Sequence, residues 1–253
     1  MKNNNIIYEG SLVSKYFSFK CTCKGIVDIN PLNVALAESM IIHNSSYKKS
    51  TNTKAYPKGD YYGSSSYWAG LFFSLAASKS KLTTFDADNV NSVFEKMDIH
   101  LFKTDLENIT YLLVSAIDRE NSTHLNAKNG RIEITIKIIN IIKSGSFFID
   151  LENKKGTFSL VTELSRKINE RSNYAFATKF CHYLCLYSKN IDSDTYVIFD
   201  SITSDNLGKY DKLYRKSKDF NYYKNYYDSM KALATKNGVS LQGLDHLLWY
   251  YYK

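Results

Sequence analysis

The chain has 253 residues, 44% of them hydrophobic, and a formal charge of +8, which fits one large domain or two small ones with enough apolar material for a real core. No apolar run reaches the roughly 18 residues of a membrane span. Only 2 prolines and 11 glycines punctuate it, which favours helices over a many-stranded sandwich.

In chain order, the N-terminus "MKNNNIIYEGSLVSKYF" lacks the long apolar core of a signal peptide, so an intracellular protein is expected. A short strand is expected at "SKYFSFKC". Asn30 before Pro31 is a capping residue followed by proline at the first helical position, so "NPLNVALAESMIIH" reads as a helix. Residues 44–66 read as a polar loop, followed by a helix at "SYWAGLFFSLAAS". Asp88 is placed to cap "NVNSVFEKM", and Thr104 to begin "DLENITYLLVSAIDR", with Leu106, Ile109, Leu113 and Ala116 as its apolar stripe. "RIEITIKIINIIK" opens with strict alternation but carries a helical stripe of Ile132, Ile136, Ile139 and Ile142, and a helix is expected there. "FSLVTELSRKI", a break at "NERSN", and "YAFATKFCHYLCLYS" form a helix pair. Two further helices, "YYKNYYDSMKALATKN" and "VSLQGLDHLLWYYYK", are separated by the C-cap signal Asn237-Gly238.

The four cysteines, Cys21, Cys23, Cys181 and Cys185, are expected to be free thiols in a reducing compartment. Their C-x-C and C-x3-C spacing matches no common zinc pattern, so no metal is expected. The basic residues concentrate usefully in one place. Lys209, Lys212, Arg215, Lys216, Lys218 and Lys224 outnumber Asp211 and Asp219, and Tyr210, Tyr214, Tyr222 and Tyr223 are interleaved with them. The segment suits a phosphate-contacting surface; a plain solvated face is the other reading.

Two charges stand in unusual positions. Lys179 lies among Phe176, Phe180, Tyr183 and Leu184 in an apolar helical pattern. It either snorkels to solvent or is a desolvated, nucleophilic amine. Asp200 closes the extended run "TYVIF", and either caps the helix that follows or carries chemistry.

The arrangement resembles the helix-hairpin-helix DNA glycosylases, in particular the 8-oxoguanine branch. In that branch a hairpin precedes T-K, then an apolar helix containing C-L, a loop, and an extended run ending in the catalytic aspartate. "ATKFCHYLCLYS" supplies Thr178, Lys179, Cys185 and Leu186, and "YVIFDS" supplies Asp200. The resemblance covers residues 157–207, and the last two helices are similar to the end of bacterial proteins of that fold. Where the family has a glycine-rich hairpin, this chain has "NYAFA", so contact with a DNA phosphate falls to Asn173 or Tyr174. Ile202 stands where those enzymes carry a histidine, so a different base specificity is expected. The C-terminal cysteines of iron–sulfur relatives are absent from this sequence.

The resemblance implies a mostly α, glycosylase-like fold with a few short N-terminal strands. It implies one unit over 1–253, made of an N-terminal helical part (1–156), the helix-hairpin-helix and aspartate segment (157–207) and C-terminal helices (208–253). It implies excision of a damaged or modified base from double-stranded DNA after base flipping, with Lys179 as Schiff-base nucleophile and Asp200 as the carboxylate facing the developing sugar cation. His182, Tyr183 and Trp249 are candidates for the base pocket, and Asn173, Tyr174, Lys209, Lys212, Arg215 and Lys216 for DNA contact. No cofactor, membrane or obligate protein partner is implied, and a cytoplasmic, nucleoid-associated location is expected. The alternatives are a helix-hairpin-helix DNA-binding protein without catalysis, for example in phage defence, and an unrelated helical scaffold in which the pair is coincidental.

Overall fold

The computed structural model describes residues 7–8, 11–12, 19–22, 24–39, 65, 68–70, 72, 102–121, 125, 127–143, 147–152, 157–168, 173–185, 193–214 and 222–253. Among these the chain is mostly α-helical. The short N-terminal strands are two-residue segments, β1 (Ile7–Tyr8) and β2 (Ser11–Leu12), paired antiparallel with Ile7 opposite Leu12. Asp88 and its helix, most of the loop at 44–66, and most of the strand expected at 14–21 lie outside the described residues.

The chain divides into two compact units, one of Met1–Ala55 with Val197–Lys253 and the other of Tyr56–Tyr196. Both ends of the chain thus belong to one unit. The reason lies in contacts between the two ends of the chain. Helix α1 (31–39) starts as expected, with Asn30 Oδ1 accepting from Asn33 N–H at 2.9 Å and Pro31 following the cap. Asn33 is fully buried, and its carboxamide bonds the backbone of Lys20 and Asp28. That clamps the turn at 22–26, where Gly25 adopts φ 70°, onto α1. The turn in turn meets the C-terminal residues: Tyr251 Oη donates to Gly25 O at 3.0 Å and lies 3.2 Å from Cys21 Sγ.

In the unit of residues 56–196, helix α2 (Asp105–Asn121) begins at Thr104, whose Oγ1 accepts from Glu107 N–H. Its buried stripe contains Ile109, Leu113 and Ala116 as expected, extended by Leu112 and Ile117. Asp118 closes its end by accepting from Leu125 N–H and pairing with Arg131 at 2.8 Å, which brings α3 (Ala127–Lys143) back against α2. Helix α3 corrects the expected stripe. Its buried face is Ile134, Thr135, Ile138 and Ile139, while Ile136 is 49% exposed. Isoleucine on several sides of this helix made more than one face apolar, and packing chose between them. Short α4 (Phe147–Glu152) leads to α5 (Thr157–Ile168) and α6 (Tyr174–Cys185), which pack on each other.

In the other unit a short helix α7 (Ser201–Leu207) precedes α8 (Tyr222–Asn237) and α9 (Leu241–Tyr252), and the three pack together. Helix α8 stops as expected at Gly238, with φ 64°, where Gly238 N–H and Val239 N–H return to Thr235 O and Ala234 O. Ser240 then caps α9 through Gly243 N–H at 2.9 Å.

Gly243 is where α9 passes close to α1: a Cβ there would lie 2.6 Å from Val34 Cγ1. Gly243→Ala is therefore expected to destabilise the protein by about 1–3 kcal/mol, against the ~1 kcal/mol that alanine gains over glycine in an unobstructed helix. The same Cβ would lie 2.9 Å from Ser240 Oγ, so adding Val34→Ala should recover only part of the loss, as read by urea denaturation. A Gly243→Ala protein as stable as the wild type would show that the helices do not approach this closely.

Candidate functional site

Helix α6 is buried on nearly every side. Phe176, Ala177, Phe180, Cys181 and Leu184 are fully buried, and Phe180 packs against Phe72, Phe147 and Phe176. A helix apolar all round belongs inside a unit. Burial pushes the Cys181 thiol well above its usual range, reinforced by Cys185 one turn on, so this thiol stays protonated.

Lys179 sits on this central helix and is only 4% exposed. It does not snorkel to solvent. Burying a lysine costs free energy unless its ammonium is paired.

The turn entering α6 is built by Asn173. Its N–H reaches Ser165 O at 3.1 Å, and its Oδ1 accepts from Phe176 N–H at 2.9 Å. Asn173 thus caps α6, and Tyr174, 8% exposed, belongs to the core. The Asn173 oxygen is used by the helix, which leaves the carboxamide NH2 as the side-chain donor of the residue expected at a DNA phosphate. His182 is 4% exposed, and its Nδ1 lies 3.0 Å from Tyr196 O. A carbonyl only accepts, so Nδ1 carries the proton and donates. Tyr183 stands edge-on to the His182 ring and is partly exposed.

Asp200 begins the second unit's helical layer. Its backbone is extended (φ −127°, ψ 142°), and Oδ1 accepts from Ile202 N–H at 2.7 Å, making it the N-cap of α7. Capping and chemistry are compatible, since one carboxylate has two oxygens. The residues leading to it are held by side chains from α8: Tyr223 Oη donates to Val197 O at 2.8 Å and Tyr226 Oη to Ile198 O at 3.1 Å. Tyr226 is fully buried. Its phenol is pushed well up by burial first, then by the charges of Asp245 and, less, Asp200. It therefore stays neutral and donates.

Asp245 escaped the sequence reading. It is 8% exposed on α9 and accepts from Thr203 Oγ1 at 3.1 Å. One signal was available: it occupies a stripe position between the buried Leu241 and Leu248, where an apolar residue is the norm.

The basic segment is corrected in part. Lys209 and Lys212 are exposed, Lys209 with its ammonium 4.0 Å from the Tyr252 ring centroid. Arg215 and Lys216 lie outside the described residues. The interleaved tyrosines are not a stacking surface. Tyr214, Tyr222 and Tyr223 are buried, and Tyr210 is committed to Val27 O and Tyr252 Oη. Burying a tyrosine ring is favourable while a lysine ammonium keeps its hydration in water, so among the described residues Lys209, Lys212 and Lys224 stay exposed while Tyr214, Tyr222 and Tyr223 are buried. Trp249, on α9, is partly exposed and carries the Lys253 ammonium over its ring at 4.1 Å.

Lys179, with Asn173, Tyr174, His182 and Tyr183, thus belongs to one unit, and Asp200, with Lys209, Lys212 and Trp249, to the other, because the boundary falls between Tyr196 and Val197. Among the described residues no cluster of histidine, cysteine or acidic side chains could hold a metal ion, and no helix is long and apolar enough to cross a membrane. Comparison with known proteins found no matching family model, no matching curated protein and no matching solved structure.

The cap at Asp200 separates stability from chemistry. Asparagine caps as well as aspartate, so Asp200→Asn should leave the unfolding free energy within about 0.5 kcal/mol, while Asp200→Ala should cost about 1 kcal/mol. Equal losses in the two variants, measured by denaturant titration, would show that the cap is not what Asp200 contributes to stability.

Proposed function

We propose that the protein is a DNA N-glycosylase that excises a damaged or modified base and cleaves the strand through a lysine Schiff base. The observation that carries this reading is the burial of Lys179 on the second of two helices that pack on each other, in the T-K context that the family resemblance assigns to the nucleophile. The placement of Asp200 at the head of α7, with extended φ and ψ, supports it, although the expected extended run begins with Thr195 in a 3-10 turn (Ser193–Thr195).

The chemistry follows from the two groups. The target nucleotide is extruded from the duplex, at a cost of a few kcal/mol that is least for a damaged or mispaired base. The neutral amine of Lys179 attacks C1′. The C1′–N bond breaks, and the base leaves with the electron pair and takes up a proton. Opening of the sugar ring at O4′ gives a protonated imine between Lys179 and C1′. Loss of a C2′ proton then expels the 3′ phosphate by β-elimination. The Asp200 carboxylate stabilises the positive charge that grows at C1′ as the base departs. The reading requires both groups to reach one sugar carbon in the DNA complex.

Borohydride trapping tests it. Duplexes carrying 8-oxoguanine and other damaged or modified bases are incubated with the protein and reduced. The wild type should form a stable covalent adduct, and Lys179→Ala should not. Asp200→Asn should keep DNA binding and lose at least ~10²-fold in turnover, since removing one preorganised stabilising group costs about 3 kcal/mol or more. Trapping that persists without Lys179 would move the nucleophile elsewhere. Tight DNA binding with no trapping and no base release would leave a DNA-binding module.

The exposed Lys209 and Lys212 are assigned to the phosphate backbone, with Arg215 and Lys216 following them in sequence. Replacing Lys212, Arg215 and Lys216 by alanine should weaken binding alike for all sequences. It should also flatten the log–log salt dependence by roughly one unit per lost contact. An unchanged slope would return the segment to a solvated face.

A further inference from the structure

Helix α7 has seven residues, too few to be stable by itself, so the direction in which Asp200 is presented must be set by what α7 is fastened to. Upstream of Asp200 the fastening is to α8, through the phenols of Tyr223 and Tyr226 on the carbonyls of Val197 and Ile198. Downstream it is to α9. Thr203, fully buried in the first turn of α7, turns its hydroxyl away from its own helix and donates to Asp245 Oδ1 at 3.1 Å. A carboxylate is seldom buried without a task, and a hydroxyl bonded to a charged acceptor makes a stronger tie than a neutral pair. The tie lies three residues beyond Asp200, on the turn that the Asp200 carboxylate itself caps.

We infer that Thr203 and Asp245 are positioning residues for Asp200, fixing the rotation of α7 so that its capping carboxylate is held at the angle its chemistry needs. The inference rests on the glycosylase reading. Electrostatic stabilisation of a forming sugar cation has a short geometric tolerance: a displacement of about 1 Å can cost on the order of 10²-fold in rate. Both carboxylates act on the Tyr226 phenol, which supports their lying in one neighbourhood.

The test is a double-mutant cycle on single-turnover base release. Thr203→Val keeps the shape of the side chain and removes the donor. It should lower the rate at least ~10-fold with the Kd for DNA unchanged, and Thr203→Ser, which restores the hydroxyl, should recover most of the rate. Asp245→Asn, which keeps an acceptor for that hydroxyl, should lose less than Asp245→Ala. In an Asp200→Asn background Thr203→Val should cost almost nothing more, because the group it positions is already gone. If Thr203→Val fails to fold, Thr203→Ala takes its place in the cycle. A Thr203→Val enzyme working at the wild-type rate overturns the inference. So does an equal loss in both backgrounds, which would mark general structural damage. A wild type that binds DNA but releases no base from any substrate fails at the first arm, and removes the glycosylase reading and this inference with it.

Discussion

The organisation around Asp200 depends on one constraint, the need to satisfy the backbone carbonyls of residues 196–198, which follow the 3-10 turn Ser193–Thr195 and belong to no helix or strand. Tyr196 and Val197 are buried, and unpaired carbonyls there would each cost about as much as a lost hydrogen bond. The chain solves this with side chains from helices. His182 serves the carbonyl of Tyr196 within one unit, and Tyr223 and Tyr226 serve those of Val197 and Ile198 within the other. The Tyr196 hydroxyl completes the pattern by donating to Leu151 O at 2.8 Å. Asp200 then stands at the head of α7 with extended φ and ψ.

The same device explains the tyrosine content. With 21 tyrosines in a basic chain, a surface for stacking nucleobases is an attractive reading. In the unit that holds the two chain ends, tyrosines instead act as core residues with a bond at the tip. Tyr214 and Tyr222 share the hydroxyl of Ser204, and Tyr210 reaches the Val27 carbonyl from the far end of the sequence. Each ring contributes apolar area, and each hydroxyl ties together segments remote in sequence. Burial also raises the pKa of Tyr210, Tyr214 and Tyr226, so the hydroxyls stay protonated. Lys212 and Lys224 between them are exposed.

Lys179 and Asp200 show opposite sides of reading function from burial. The buried position of Lys179 removes the snorkelling explanation. Asp200 carries a plain structural duty as a cap. The proposal holds that it carries a second one, with Thr203 and Asp245 as the support that a residue with chemistry to perform requires.

What the sequence determined by itself is the set of helix ends. Asn30-Pro31, Thr104 and Asn237-Gly238 start or stop helices as their types require, and the capping alternative for Asp200 is realised. Such signals are legible because the bonds they make close within about four residues, so no distant partner is needed. The tertiary structure decided the rest. It chose Ile134 and Ile138 over Ile132 and Ile136 as the buried face of α3, turned the tyrosines of the basic segment inward, joined residues 19–39 to the C-terminal helices, and set Asp245 opposite Thr203. Each of these depends on partners far away in the chain, and several apolar faces were equally good until packing supplied one of them with a neighbour.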